Sequence, residues 1–237
     1  MANNVKNIIR MKGIANLPLF EGEEDRFTGE KYRSLDFDKI VPMPQELLAV
    51  NVGGMENSYI RAALCKIKDV LNEGTSFSRN RNAITIDKES IKPCYTDESF
   101  DDMAIKGLDY ITNAVKHGAT DWYQWRLENW GTKSNAYYTE IIDEDTISFC
   151  TAWNAPEEII SKLAEMYPDI EIEHLWADED IGRNAGYREY CDGEVHGGPE
   201  SDIQNLYELY VQCWGETDRL YMDDDGMLHL KEDEDEV

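Results

Sequence analysis

The chain of 237 residues contains no apolar run of the roughly 18 residues that a membrane-spanning helix needs. Its start, MANNVKNIIRMKG, lacks the apolar stretch of a signal peptide. The expectation is a soluble, cytoplasmic protein with no membrane partner. Five cysteines, Cys65, Cys94, Cys150, Cys191 and Cys213, are widely separated and form no CxxC pair. That pattern predicts buried reduced thiols rather than disulfides or zinc. There is no phosphate-cradling glycine-rich loop, no GxSxG and no HExxH. No cofactor and no metal are expected.

Basic charge is scarce in one half. Residues 1–120 hold 16 Lys+Arg against 18 Asp+Glu, while residues 121–237 hold 7 against 31, a net of −24 out of −26. Segment 223–237 carries 8 acids and one base, so −17 remains over 121–222. The second half therefore presents a strongly negative folded surface. Such a field repels nucleic-acid backbone and attracts basic surfaces, the nucleic-acid channels of other proteins included, besides serving solubility.

What is present gives an order of elements. Val5–Met11 has strand character, and the polar stretch GEEDRFTGEKYRS after it reads as a flexible loop. Pro42 and Pro44 predict an extended connection packed by Phe37, Ile40, Val41 and Met43. Apolar spacing predicts helices over Ser58–Asn72 and Ser99–His117, ended by Gly74 and Gly118. The polar segment 74–92 reads as variable. Thr120 or Asp121 can cap a short helix with Trp122, Trp125 and Asn129 on one face and Leu127 and Trp130 on others. From Ala136 the period becomes two, giving a hairpin around Asp143-Glu144-Asp145 in which Ile147, Phe149, Thr151 and Trp153 share a face. Asn154-Ala155-Pro156-Glu157 reads as a capped helix start, with Ile159, Ile160, Leu163, Met166 and Tyr167 inward. Ile170, Ile172, His174 and Trp176 alternate with Glu171 and Glu173 in a further strand, and AGYREYCDGEV predicts another ending at Asp192-Gly193.

The sequence thus predicts an α+β fold: a ferredoxin-like β-α-β-β-α-β sheet over 1–45 and 99–195. A helical insertion occupies 46–98, a C-terminal helix and hairpin extension 196–230, and an acidic tail 231–237.

Six stretches, MANNVKN, DFDKIVPMP, WYQWRLENWGTKSNAY, FCTAWNAP, LAEMYPDIEIEHLWADEDIGRNAGYREY and DGEV, occur in this order. Together they resemble the YubB-type ferredoxin-like family carried by phages, plasmids and integrative elements, in which WGTK, TAW and WADED-G-N-G recur as a set. The resemblance covers residues 1–45 and about 120–195, and implies a fold and a mobile-element origin in a bacterial host, with no established chemistry. Ser134 departs from it, standing where a Trp commonly follows WGTK, and residues 46–100 match no part of it.

Three candidate chemistries remain. Trp122, Trp125 and Trp130, three of six tryptophans, with Tyr137 beside them, could wall a small-ligand pocket such as one for a signalling nucleotide, although core packing explains them first. The turn Asp178-Glu179-Asp180 after a strand could hold a metal for phosphoryl transfer, or be a solvated acidic turn. A calcium-type loop over Tyr221–Glu232 has Tyr at its first ligand position and no exit helix, and an Asp225-Gly226 hairpin turn accounts for the same residues. His174 reads as a satisfied core histidine, and a Cys150–His174 nucleophilic pair lacks an evident third group. The leading expectation is a non-enzymatic accessory protein that inhibits a host protein with a basic surface, such as a CRISPR effector. Carboxylates of Asp178, Glu179, Asp180, Asp143, Glu144, Asp145, Glu171 and Glu173 would stand where phosphates sit. The second half is not expected to bind nucleic-acid backbone itself, and the oligomeric state is left open.

Overall fold

Val5, Ile8, Ile9 and Met11 make the first strand, β1 (Asn4–Met11), apolar on both faces, and the structure gives each face a layer to bury it. This is a computed structural model that describes residues 3–24, 29, 31–74, 99–216, 220–222 and 228–230. It divides into two units, Met1–Pro42 with Glu128–Val237, and Met43–Leu127. Nearly all of segment 74–92, the Asp225-Gly226 turn, most of the calcium-type loop and the tail 231–237 lie outside the described residues.

In the first unit, β1 pairs antiparallel with β5 (Thr146–Ala152) on one side and β6 (Ile172–Asp178) on the other, with Ile8 opposite Ser148 and Leu175. The strands β4 (Tyr137–Ile141), β7 (Gly186–Cys191) and β8 (Glu194–Pro199) complete a six-stranded sheet of order β4-β5-β1-β6-β7-β8. Ile9, Ile147, Phe149, Ile172, His174 and Trp176 fall on one face by register and are buried. Glu157, first residue of α4 (Glu157–Met166), reaches Arg188 there at 2.6 Å. On the other face Ile8, Leu175 and Ala177 meet Leu206, Leu209 and Cys213 of α5 (Ile203–Trp214), whose Trp214 indole donates to the Ala177 carbonyl at 3.0 Å. Each such apolar side chain contributes roughly 1.5–3 kcal/mol by leaving water. Because both faces are covered, β6 is buried almost continuously instead of alternating.

A polar thread runs through this core. The Asn7 amide donates to the Val5 carbonyl and to Thr151 Oγ1 at 2.9 and 3.0 Å, and its Oδ1 faces His174 Nε2 at 3.0 Å. His174 is only half the satisfied histidine expected: its Nδ1 is buried with no partner among the described residues. Burial first, and the Arg188 charge second, pull its pKa down to about 3, so the ring is neutral.

Several expectations change. The stretch read as a flexible loop contains a hairpin, β2 (Phe20–Glu24) with β3 (Lys31–Leu35). Its polar composition hides that Phe20 and Leu35 are buried and that the Arg33 guanidinium lies over the Phe20 ring. Asn154 is not the cap of α4; Pro156 holds that position with no side-chain bond, and the Asn154 carbonyl accepts from Thr151 Oγ1 instead. Met166 is exposed rather than inward. Trp153 does not share the buried face of β5, since the chain turns at φ 73 and leaves it 48% exposed.

The second unit pairs α1 (Glu56–Gly74) with α2 (Phe100–His117) through Ala62, Cys65, Met103 and Ala104. A Cβ on Gly107 would lie 2.9 Å from the Ala63 methyl and nearer still to the Tyr59 backbone, so the helices approach where neither has bulk. The expected caps are present: Ser99 accepts from the Asp102 N–H, Gly118 closes α2 at φ 77, and Asp121 accepts from Tyr123 and Gln124 at the start of α3 (Trp122–Trp130). The sequence reading placed 99–117 in the ferredoxin-like domain and 46–98 in an insertion; this close packing puts α1 and α2 together in one unit. The strands β9 (Leu220–Met222) and β10 (Leu228–Leu230) pair antiparallel.

Candidate functional site

Antiparallel pairing on both sides of β1 brings four distant stretches to one end of the sheet. Asn4 lies opposite Ala152, and Val5 opposite Asp178. The WGTKS stretch closes on the same place. Thr132 Oγ1 donates to the Ala152 carbonyl at 3.0 Å, Ser134 Oγ accepts from the Ala152 N–H at 3.3 Å, and the Lys133 ammonium stands 5.8 Å from the Trp153 ring centroid. Gly131 is required here: at φ 76, an added Cβ would sit 3.2 Å from the Ala155 carbonyl oxygen. Thus parts of the stretches carrying the family resemblance, within 3–7, 131–134, 151–153 and 176–186, meet around one residue, Trp153.

That residue is held in a costly conformation. A bulky side chain at φ 73 is an outlier worth about 1–3 kcal/mol of strain. The Trp153 N–H donates to the Asn3 carbonyl at 3.0 Å, and its carbonyl accepts from the Asn184 amide at 2.8 Å. Beside it, Asn3 Nδ2 donates to Asp178 Oδ1 at 3.2 Å and Asp180 Oδ2 at 2.9 Å, while Asn4 Nδ2 donates to Glu179 Oε2 at 2.6 Å. The Tyr137 hydroxyl donates to Asn4 Oδ1, and burial above all pushes its pKa up to about 12, so it keeps that proton. Neutral amides thereby aim the acids without cancelling their charge. Asp178 itself is buried and accepts from the Asp180 N–H; its pKa is raised, chiefly by burial and also by the Asp180 and Glu179 charges, against these hydrogen bonds that lower it. Glu179 and Asp180 are the exposed members.

The other five predicted acids lie elsewhere. The Asp143-Glu144-Asp145 turn joins β4 to β5 near Met11, and Glu171 and Glu173 stand at the opposite end of β6 from Asp178. Six residues of β1 separate the two ends, about 20 Å. The eight acids are therefore not one patch. At the second end the acids are occupied: Asp145 accepts from the Gly13 N–H at 2.6 Å, Glu144 from Asn16 at 3.1 Å, and Glu173 from Arg10 at 2.9 Å. The Glu171 pKa is raised, chiefly by a hydrogen bond with Glu189 and then by that residue's charge.

The members of the tryptophan set differ in exposure. Trp130 is fully buried, edge-on to Phe37 at 5.6 Å, and its indole donates to the Val41 carbonyl. Trp125 is buried; Trp122 is partly exposed beneath the Arg126 guanidinium at 5.0 Å, and Tyr137 is partly buried. Among the described residues no group of three His, Cys, Asp or Glu could hold a metal ion, and no helix is long and apolar enough to cross a membrane. The free thiols Cys65, Cys150 and Cys213 are buried as expected, whereas Cys191 is only partly buried and Cys94 lies outside the described residues.

Residues 129–209 match the family model described as the ferredoxin-like domain in Api92-like protein. This ferredoxin-like span contains Thr132, Trp153, Asp178 and Asn184, and leaves out Asn3 and Asn4. A crystal structure of a protein api92 from Yersinia pseudotuberculosis is 12% identical with a TM-score of 0.36, covering 85% of this chain and 99% of that one. No curated protein matches the chain. Sequence reasoning found the acids of this end but missed Trp153, Asn3, Asn4 and Asn184; the signal available was that TAW and the initial NN belong to the same set of stretches as WADED.

Proposed function

We propose that the ferredoxin-like unit is a protein-binding module that docks on a basic surface through its Trp153 end. One observation carries the reading: an exposed tryptophan in strained backbone, flanked by Glu179 and Asp180 on fixed amide supports. Buried aromatic anchors dominate interface energies, and oriented carboxylates beside one favour basic partners and fast encounter. The narrower reading is an accessory protein of a phage or plasmid that blocks a nucleic-acid-binding protein of its bacterial host. Its supports are the −24 of residues 121–237 and the mobile-element setting of the resembled family.

The test is a pull-down from the native host with wild type and with the E179K/D180K/W153A variant, at low salt and near 1 M salt, where charges are screened beyond about 3 Å. The reading expects a nucleic-acid-binding partner that the variant loses and salt weakens. A partner retained by the variant, or indifferent to salt, overturns it.

A further inference from the structure

A second concavity lies far from Trp153, and no part of the reading above uses it. The C-terminal turn of α4, the following Pro168 and Ile170, and the β7–β8 hairpin enclose a cavity of about 390 Å³. Its apolar lining comes from Ala164, Pro168, Ile170 and Val195, the last 53% exposed. Its charged lining is wholly acidic: Glu165, Asp192 and Glu194, with no Lys, Arg or His among the lining residues. Glu165 shares its carboxylate with Lys162 at 2.8 Å, and Glu194 stands 3.6 Å from His196, while Asp192 has no ion pair among the described residues. The negative end of the α4 dipole adds to the same field.

Two lining residues report on this interior. Tyr190 is 4% exposed, and its hydroxyl finds no partner among the described residues. The neighbouring Cys191 thiol is pushed up by desolvation and then by the Glu189 and Asp192 carboxylates, so it stays protonated and the wall offers no thiolate. An apolar floor, an anionic rim and a spare hydroxyl together fit one ligand chemistry. We infer that this cavity binds a guanidinium or primary ammonium group carried on a short apolar stem, the stem lying along Ala164, Ile170 and Val195 and the cation reaching Asp192 and Glu194.

The cation can come from a free amine or from a basic side chain of another protein, and two probes separate these sources. Full-length protein is titrated with agmatine and with an N-acetyl-Gly-Arg-Gly amide peptide, followed by backbone amide NMR, with the citrulline analogue of the peptide as the neutral isostere. The inference expects saturable shifts at Cys191–Val195 and Ala164–Glu165, absent with citrulline and weakened about tenfold or more in D192N/E194Q. Asp192 sits at φ 51, which Asn tolerates, so this variant keeps the turn. Agmatine alone binding identifies a free amine; peptide alone identifies a protein-borne side chain. No shift with either cation, equal shifts with citrulline, or unchanged binding by D192N/E194Q overturns the inference. The E179K/D180K/W153A variant lies at the opposite end and leaves this binding unaltered, so the two proposals fail separately.

Discussion

The two ends of the six-stranded sheet are built from similar residues and behave differently. At the Trp153 end, Asp178, Glu179 and Asp180 meet Asn3 and Asn4, which orient carboxylates while leaving their charge whole. At the other end, Asp145 ties down the Gly13 amide, Glu173 pairs with Arg10, and Glu171 shares a hydrogen bond with Glu189. The first end keeps its charge available and spends strain on an exposed tryptophan; the second uses the charges of Glu144, Asp145 and Glu173 on its own chain. What separates a presented acid from a structural one is the partner across the strand, not the residue type.

The sharpest break of this comparison is at the support of the first end. An alanine at Gly186 would place its Cβ 2.3 Å from Trp176 Cζ2 and 2.7 Å from the Gly198 carbonyl oxygen. Gly186→Ala is expected to cost about 3 kcal/mol, read as a lower urea midpoint. Acid comes next. His174 binds its proton below its unfolded value of 6.5, at about 3, so its contribution is whole above pH 6.5 and is lost as pH falls toward 3. Stability should drop by up to ~1.4 kcal/mol per pH unit in that window, and His174→Gln should remove most of the slope in urea unfolding at pH 7 and 5.

Trp153→Gly tests whether strain is held for binding. It should raise stability by about 1 kcal/mol in thermal unfolding while abolishing capture of the partner. Asp145→Ala is the mirror image at the second end: a loss of about 1 kcal/mol from the unpaired Gly13 N–H, with partner capture unchanged. The smallest effect belongs to Glu171→Gln. The raised Glu171 pKa means that its ionised form is disfavoured by folding, so the variant should gain slightly in melting temperature at pH 7. The gain should fade as pH falls through the carboxylate range.

Local elements were legible because their signals are local. Ser99, Gly118 and Asp121 cap or stop helices through their own side chains or backbone freedom. The period-two runs of β5 and β6 report strands for the same reason. The β2–β3 hairpin was hidden, since two apolar residues in polar surroundings carry little periodicity. In α3, aromatics surround a helix of nine residues, so spacing could not rank Trp125 and Trp130 as the buried ones.

Sequence alone determined the charge asymmetry, most helix limits and the strands β1, β4, β5, β6 and β7, all properties of composition or of neighbours within a few residues; the cap of α4 and the strand β8 were not among them. Tertiary structure alone decided which acids stand together. Register across β1 sends the Asp178 turn to one end and the Asp143 turn to the other, and brings Asn3, Thr132, Trp153 and Asn184 to one place from across 180 residues. The parity of β5 likewise counted Trp153 as core; only the reversal of the chain at φ 73 turns it to solvent.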